Sequence, residues 1–126
     1  MPIAIRPLLE MPVRYALCLT RKDYQRTMKR FGLDDPGDEW VTAGKDATAH
    51  HWERAERNGP PTIVCMRKPK GVAMSQIAGL LVHEGVHIWQ ATREHMGESQ
   101  PSCEFEAYAI QGIAQELIEM YLEATE

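Results

Sequence analysis

The stretch AMSQIAGLLVHEGVHIWQATREH, residues 73–95, decides the fold of this 126-residue chain. It contains no proline, and its apolar residues recur densely enough to predict a helix that is apolar around much of its circumference. A helix of that kind belongs in a core, so other elements must cover it. Gly97 follows shortly after and is a natural helix end.

Two further helices are predicted, one before this helix in the chain and one after it. Residues 103–123 form a C-terminal helix that Pro101-Ser102 can start, with one apolar face made by Ile110, Ile113, Leu117 and Met120. Residues 21–31 form an amphipathic helix, and Thr20 with Asp23 three positions later resembles a capping box.

The middle third of the chain predicts a small sheet. Residues 40–42 and 47–52 are interpreted as two short strands around a turn, and residues 62–66 as a buried strand of β-branched and apolar type. A second turn is predicted at residues 58–61. We therefore expect an α+β fold in one compact domain, residues 1–126, in which about three antiparallel strands pack against two or three helices.

Composition excludes several classes of protein. A net charge of −4 argues against a nucleic-acid-binding protein, and local basic clusters such as Arg67-Lys68 with Lys70 are interpreted as solvated. Three cysteines without a C-x-x-C pair favour a reducing compartment over a disulfide framework. The sequence predicts no signal peptide and no membrane span, so a cytoplasmic location is expected, and the oligomeric state is left open.

The central helix carries the motif H-E-x-x-H at His83-Glu84-Gly85-Val86-His87. Residues four apart on an α-helix differ by about 40° in rotation and about 6 Å along the axis, so both imidazoles can reach one metal ion. Glu84 lies about 100° further round, where it can touch a water held by the metal. Zinc lowers the pKa of such a water from near 16 to about 7, and a neighbouring carboxylate takes the proton.

Apolar neighbours strengthen this interpretation. They are Val82, Val86, Ile88 and Trp89, and they predict a buried motif, where unpaired histidines and a glutamate would cost several kcal/mol. The alternative is a polar patch on a helix that is less buried than the pattern suggests.

A catalytic zinc requires a third protein ligand and one open position. Gln90 and Arg93 occupy the places where the metzincin arrangement has its glycine and third histidine, so that arrangement is excluded. His95 is about 12 Å beyond His87 along the same helix, which is too far. A carboxylate from the C-terminal helix remains, and Glu104 and Glu106 both begin that helix.

These motifs resemble the gluzincin superfamily of zinc metallopeptidases, and especially the minigluzincins and small phage-type peptidase domains. The resemblance covers about residues 72–120 and implies a zincin-like active-site helix followed by a C-terminal helix that supplies a glutamate ligand. In that family the glutamate opens an E-x-x-A-[D/N] pattern, which Glu104-Phe105-Glu106-Ala107 matches up to its last position. The resemblance therefore assigns the zinc to His83, His87 and Glu104.

The chain departs from that pattern at Tyr108, where an aspartate or asparagine usually orients the first histidine. Glu106 is the rival ligand, because it shares a face with the apolar residues of the C-terminal helix. Glu104 and Glu106 differ by about 200° in rotation, so only one of them can face the metal.

The expected activity is zinc-dependent hydrolysis of peptide bonds in a peptide or protein substrate, with Glu84 as the proton acceptor. Two alternatives stay open: a zinc hydrolase for a non-peptide substrate, and a zinc-stabilised binding module without turnover. His50, His51 and Tyr108 are candidate donors to the oxyanion. Either strand 47–52 or strand 62–66 could pair with the substrate backbone.

Overall fold

A computed structural model describes residues 13–52 and 61–126. In chain order the elements are β1 (Arg14–Cys18), α1 (Arg21–Arg30), β2 (Ala47–His51), β3 (Pro61–Met66), α2 (Met74–His95) and α3 (Cys103–Ala124). The predicted α+β class is confirmed, as are all three helices. Most of the turn predicted at residues 58–61 lies outside the described residues.

The three strands form one mixed sheet in the order β1-β3-β2. β2 pairs antiparallel with β3, as predicted, but β1 pairs parallel with β3, so the expectation of an all-antiparallel sheet is wrong. Residues 40–42 do not form the predicted strand. Side chains satisfy their backbone instead: Thr48 Oγ1 accepts from Thr42 N at 2.8 Å, and the His50 ring bonds the Trp40 carbonyl at 2.8 Å.

β3 is the central strand, and every residue in it is buried. Its side chains alternate between two hydrophobic clusters. Val64 and Met66 join the cluster that α2 and α3 cover, while Ile63 and Cys65 join the cluster that α1 covers. A strand covered on both faces needs a continuous apolar run, which explains the composition of this segment.

The helix ends follow the predicted chemistry. Thr20 Oγ1 accepts from Asp23 N at 3.0 Å at the start of α1, and Ser102 Oγ accepts from Phe105 N at 3.2 Å at the start of α3. Gly97 follows α2 with a φ of 71°, a backbone conformation that favours glycine.

α2 and α3 pack against each other in antiparallel directions. A Cβ on Gly85 would lie 3.5 Å from the Ala114 backbone, so the two helices approach closely there. Eight residues later on α2 and eight residues earlier on α3, Arg93 Nη1 lies 3.7 Å from Glu106 Oε2. Among the described helices, none is long and apolar enough to cross a membrane.

One flank of α2 is open to solvent. Val82 is 40% exposed, and His83 and His87 are exposed as well. The expectation that the whole motif is buried is therefore wrong for the two histidines. The reason is that α3 and the sheet cover only the arc of the helix that contains Leu81, Gly85 and Ile88.

A hydrogen bond from Tyr15 to Glu116 joins β1 to α3. The Tyr15 hydroxyl donates to Glu116 Oε2 at 2.5 Å, and burial together with this carboxylate raises the tyrosine pKa far above its usual range. We expect Tyr15→Phe to lower the free energy of unfolding at neutral pH by about 1 kcal/mol. Because the folded pKa is raised, this contribution is complete below about pH 10, the unfolded value, and is lost as the pH rises above it.

Urea unfolding of wild type and Tyr15→Phe between pH 7 and pH 11 measures both effects. Tyr108→Phe is the matched control, because that tyrosine is 68% exposed and should change neither quantity. A Tyr15→Phe protein with wild-type stability at pH 7 would contradict the assigned role of the hydrogen bond.

Candidate metal centre

The two motif histidines converge on one point beside α2. Their Nε2 atoms are 3.2 Å apart, and their rings meet edge to face at 85° with centroids 4.7 Å apart. Two nitrogen ligands of a tetrahedral zinc ion, each about 2.05 Å from the metal, are separated by about 3.3 Å. The separation fits two ligands of a single ion, and in this structure it is a hydrogen bond between the two rings.

Gln90 lies within hydrogen-bond distance of His87. The His87 Nδ1 atom lies 3.1 Å from Gln90 Oε1, and an amide oxygen only accepts hydrogen bonds. In the neutral tautomer that carries its hydrogen on Nδ1, the ring donates to this oxygen and keeps a lone pair on Nε2, facing His83. Metal-ligating histidines characteristically donate their other ring N–H to such an acceptor.

Glu84 is the buried member of the motif. It is 6% exposed, and within the described residues its carboxylate has no hydrogen bond and no ion pair. Its carboxylate oxygens are not among the fully enclosed side-chain atoms of the described residues, so solvent still reaches them. Glu84 is three residues before His87 and therefore neighbours it on the helix surface.

The two candidate glutamates of α3 lie elsewhere. Glu106 accepts a hydrogen bond from Trp89 Nε1 at 2.8 Å and lies near Arg93, which confirms its inward face and occupies its carboxylate. Glu104 lies in the exposed first turn of α3. The antiparallel alignment that places Glu106 beside Arg93 puts Glu104 level with His95, about 12 Å along the axis from His87.

Within residues 13–52 and 61–126, no three His, Cys, Asp or Glu side chains come together as a metal site. The structure therefore brings together His83 and His87, with Glu84 as their neighbour on the helix, and does not bring Glu104 to them. The donors that are present fit two of the three ligand positions of a catalytic zinc.

The three candidate oxyanion donors have different surroundings. His50 is buried, bonds the Trp40 carbonyl through Nε2 and stacks on Tyr24 with ring centroids 4.7 Å apart, so it is part of the core. Tyr108 projects into solvent on α3. Of these three residues, only His51 has a recorded electrostatic interaction with the pair His83 and His87.

His51 ends β2, the strand that packs against α2. Its Nδ1 atom lies 2.8 Å from Thr62 Oγ1 on the paired strand, which orients the ring. Partial burial lowers the pKa of His51, and the nearby charge of His87 lowers it further, followed by that of His50. The effect of His87 places the two imidazoles within electrostatic reach of each other.

β2 is an edge strand of the sheet and packs against α2, the helix that carries His83 and His87. β3 is paired on both sides, which excludes residues 62–66 as the strand that binds a substrate backbone. β2 has a partner on one side only among the described strands, so it alone keeps unpaired backbone groups near the histidines.

Two side chains that hydrogen bond to candidate histidines were not identified from the sequence: Gln90, which contacts His87, and Thr62, which contacts His51. Gln90 was detectable in principle, because residues three apart share a helix face. Thr62 required the register of β2 against β3, which no pattern in the sequence supplies. Comparison of this chain with protein-family models, curated proteins and solved structures found no match.

Proposed function

We propose that this chain is a zinc-dependent metallopeptidase of the gluzincin type. One observation carries the proposal: two imidazole Nε2 atoms lie 3.2 Å apart on a helix that also carries the largely buried Glu84 beside them. A helical histidine pair with the spacing of metal ligands and an adjacent proton acceptor is an arrangement that supports metal-assisted hydrolysis of an amide.

His83 and His87 would hold the ion. The resemblance assigns Glu104 as the third ligand, but this structure does not bring Glu104 to the pair. A divalent ion bound there supplies a Lewis acid and lowers the pKa of a bound water. Glu84 takes a proton from the attacking water and gives it to the leaving nitrogen. The substrate backbone pairs with the open edge of β2, which lies alongside α2 and so presents the scissile bond to Glu84.

The direct test is metal content and turnover of the full chain purified without chelator. We expect about one zinc per chain and cleavage of a mixed peptide pool, both lost with 1,10-phenanthroline and restored by added zinc. Protein that contains no transition metal and takes none up would end the proposal.

A zinc-stabilised binding module is the second candidate. It is favoured by the exposure of His83 and His87, since an open ligand pair also suits a metal shared with a partner. A protein that binds zinc stoichiometrically but cleaves neither peptides nor esters would select this candidate. Cleavage of esters alone would select the non-peptide hydrolase.

His51 is the residue we assign to the oxyanion. In the tautomer where the Thr62 hydroxyl donates to Nδ1, His51 Nε2–H is free to donate toward the substrate carbonyl. We expect His51→Ala to reduce kcat about 10²–10³-fold, with a smaller change in KM, because the oxyanion forms only in the transition state.

Thr62→Val should reduce kcat by a smaller factor, since it removes only the group that orients the ring. Steady-state kinetics on one fluorogenic peptide measures all three proteins. Equal kcat for wild type and His51→Ala would remove His51 from the catalytic set, and Tyr108→Phe then tests the remaining donor.

A further inference from the structure

A cleft of about 730 Å³ opens beside His83, the first histidine of the motif. His83 and Leu80 of α2 form one wall, and the end of β3 with the segment before β2 forms the other, through Met66, Arg67 and Lys45. Its volume lies within the range of ligand-binding sites and is large enough for a few residues of a peptide.

The cleft is lined by positive charge. Lys45 and Arg67 both face it, and Asp46 is the one carboxylate among its lining residues. Neither cation forms an ion pair with any described carboxylate. The following loop adds Lys68 and Lys70, which are also exposed, in a chain whose net charge is −4. Positive charge is therefore concentrated at this end of the site.

Arg67 is held in place by an aromatic ring. Its guanidinium carbon lies 5.6 Å from the centroid of Trp40, a cation–π contact that leaves the N–H groups free for a ligand. A guanidinium with free donors recognises a carboxylate through two parallel hydrogen bonds.

The strand beside the cleft sets the direction of a bound peptide. His83 faces the end of β2 that begins after Asp46, and His87 lies near His51 at the other end. A peptide paired along β2 would pass over the two motif histidines and continue over Lys45 and Arg67. β2 is five residues long, so this cationic end is within about four residues of the scissile bond.

We propose that the cleft formed by Lys45 and Arg67 selects peptides that carry a carboxylate within about four residues of the cleaved bond. The inference rests on the proposed peptidase function and names its substrate class. The carboxylate can belong to an internal Glu or Asp or to a free C-terminus, since the same two cations would bind either.

The experiment uses the full chain loaded with zinc and a set of fluorogenic peptides of one length. Each peptide has Glu or Gln at one position on either side of the cleaved bond, and each is made with a free or an amidated C-terminus. We expect kcat/KM to be about tenfold higher for the acidic peptides on one side of the bond. The preference should fall as salt is raised from 0.05 to 0.5 M.

Two double variants locate the charge. Lys45→Gln/Arg67→Gln should bring the acidic-to-neutral ratio close to one, whereas Arg21→Gln/Lys22→Gln, with the same loss of charge on exposed residues of α1, should leave the ratio unchanged. Lys45→Arg/Arg67→Lys should keep most of the preference, which separates lost charge from a disturbed fold.

Binding is measured independently of turnover. Anisotropy of labelled acidic and neutral peptides on the Glu84→Gln protein should show the same preference, and an oligonucleotide of equal charge should compete poorly. Cleavage of all peptides at equal rates overturns the inference but keeps the peptidase. Tighter binding of the oligonucleotide also overturns it, while no cleavage of any peptide overturns the proposed function itself.

Discussion

Alanine in place of His83 or His87 is expected to reduce zinc from about one ion per chain to a level that dialysis removes. Each imidazole supplies one of two Nε2 atoms that lie 3.2 Å apart, so the loss of either leaves a single nitrogen donor. Removing an outer residue that only orients a ligand already costs about 10–100-fold in affinity, so the loss of a ligand should cost more than about 100-fold. Competition with a chromophoric chelator measures the change.

His95→Ala is the matched control for that experiment, because His95 is exposed on the last turn of the same helix. It should bind zinc as the wild type does. Because His83 and His87 are exposed, their replacement should leave the fold intact, and far-UV circular dichroism checks this. Stoichiometric zinc in both His83→Ala and His87→Ala would show that the pair is only a hydrogen-bonded surface patch.

The same measurement of zinc binding distinguishes the roles of the two glutamates of α3. Glu106→Ala should keep its zinc and lose stability, because its carboxylate is already bound to Trp89 and lies near Arg93. Glu104→Ala should weaken zinc binding if the first turn of α3 approaches the histidines in the loaded protein. Unchanged affinity in Glu104→Ala would remove it from the ligand set without affecting the pair.

Local sequence patterns predicted the elements whose determining features lie within their own segment of the chain. All three helices carry their periodicity within the segment itself, and Thr20 and Ser102 correctly mark the starts of α1 and α3. β3 was recognisable because burial on both faces demands an unbroken apolar run. The convergence of His83 and His87 also follows from helical spacing alone.

Features that depend on distant partners were not predictable in this way. β1 follows Pro12 and has little alternation, and only its parallel pairing with β3 makes it a strand. The exposure of His83 depends on which arc of α2 the sheet and α3 leave uncovered. The position of Glu104 depends on how far α2 extends before α3 returns, and the family pattern does not determine that length for this chain.

Replacing Glu84 by glutamine should abolish most turnover while the protein keeps its zinc. Glutamine has nearly the same shape but cannot accept and return a proton, and loss of a general base typically costs about 10²–10⁴-fold in kcat. Zinc should remain, because Glu84 lies about 100° around the helix from His83 and does not share the convergence point of the two imidazoles. A binding module would behave as the wild type does.

The stability of the same variant provides a second measurement, and it is not expected to fall as turnover does. Glu84 is 6% exposed and its carboxylate forms no hydrogen bond or ion pair with a described residue, so a neutral amide at this position removes no stabilising contact. We expect the metal-free Glu84→Gln protein to unfold at the same or a higher urea concentration than the metal-free wild type. Glu94→Gln, on the exposed side of the same helix, should change neither turnover nor stability. A Glu84→Gln protein that loses stability and keeps its turnover would show that the carboxylate is a structural group. One that gains stability and loses turnover would show that the carboxylate is retained for proton transfer.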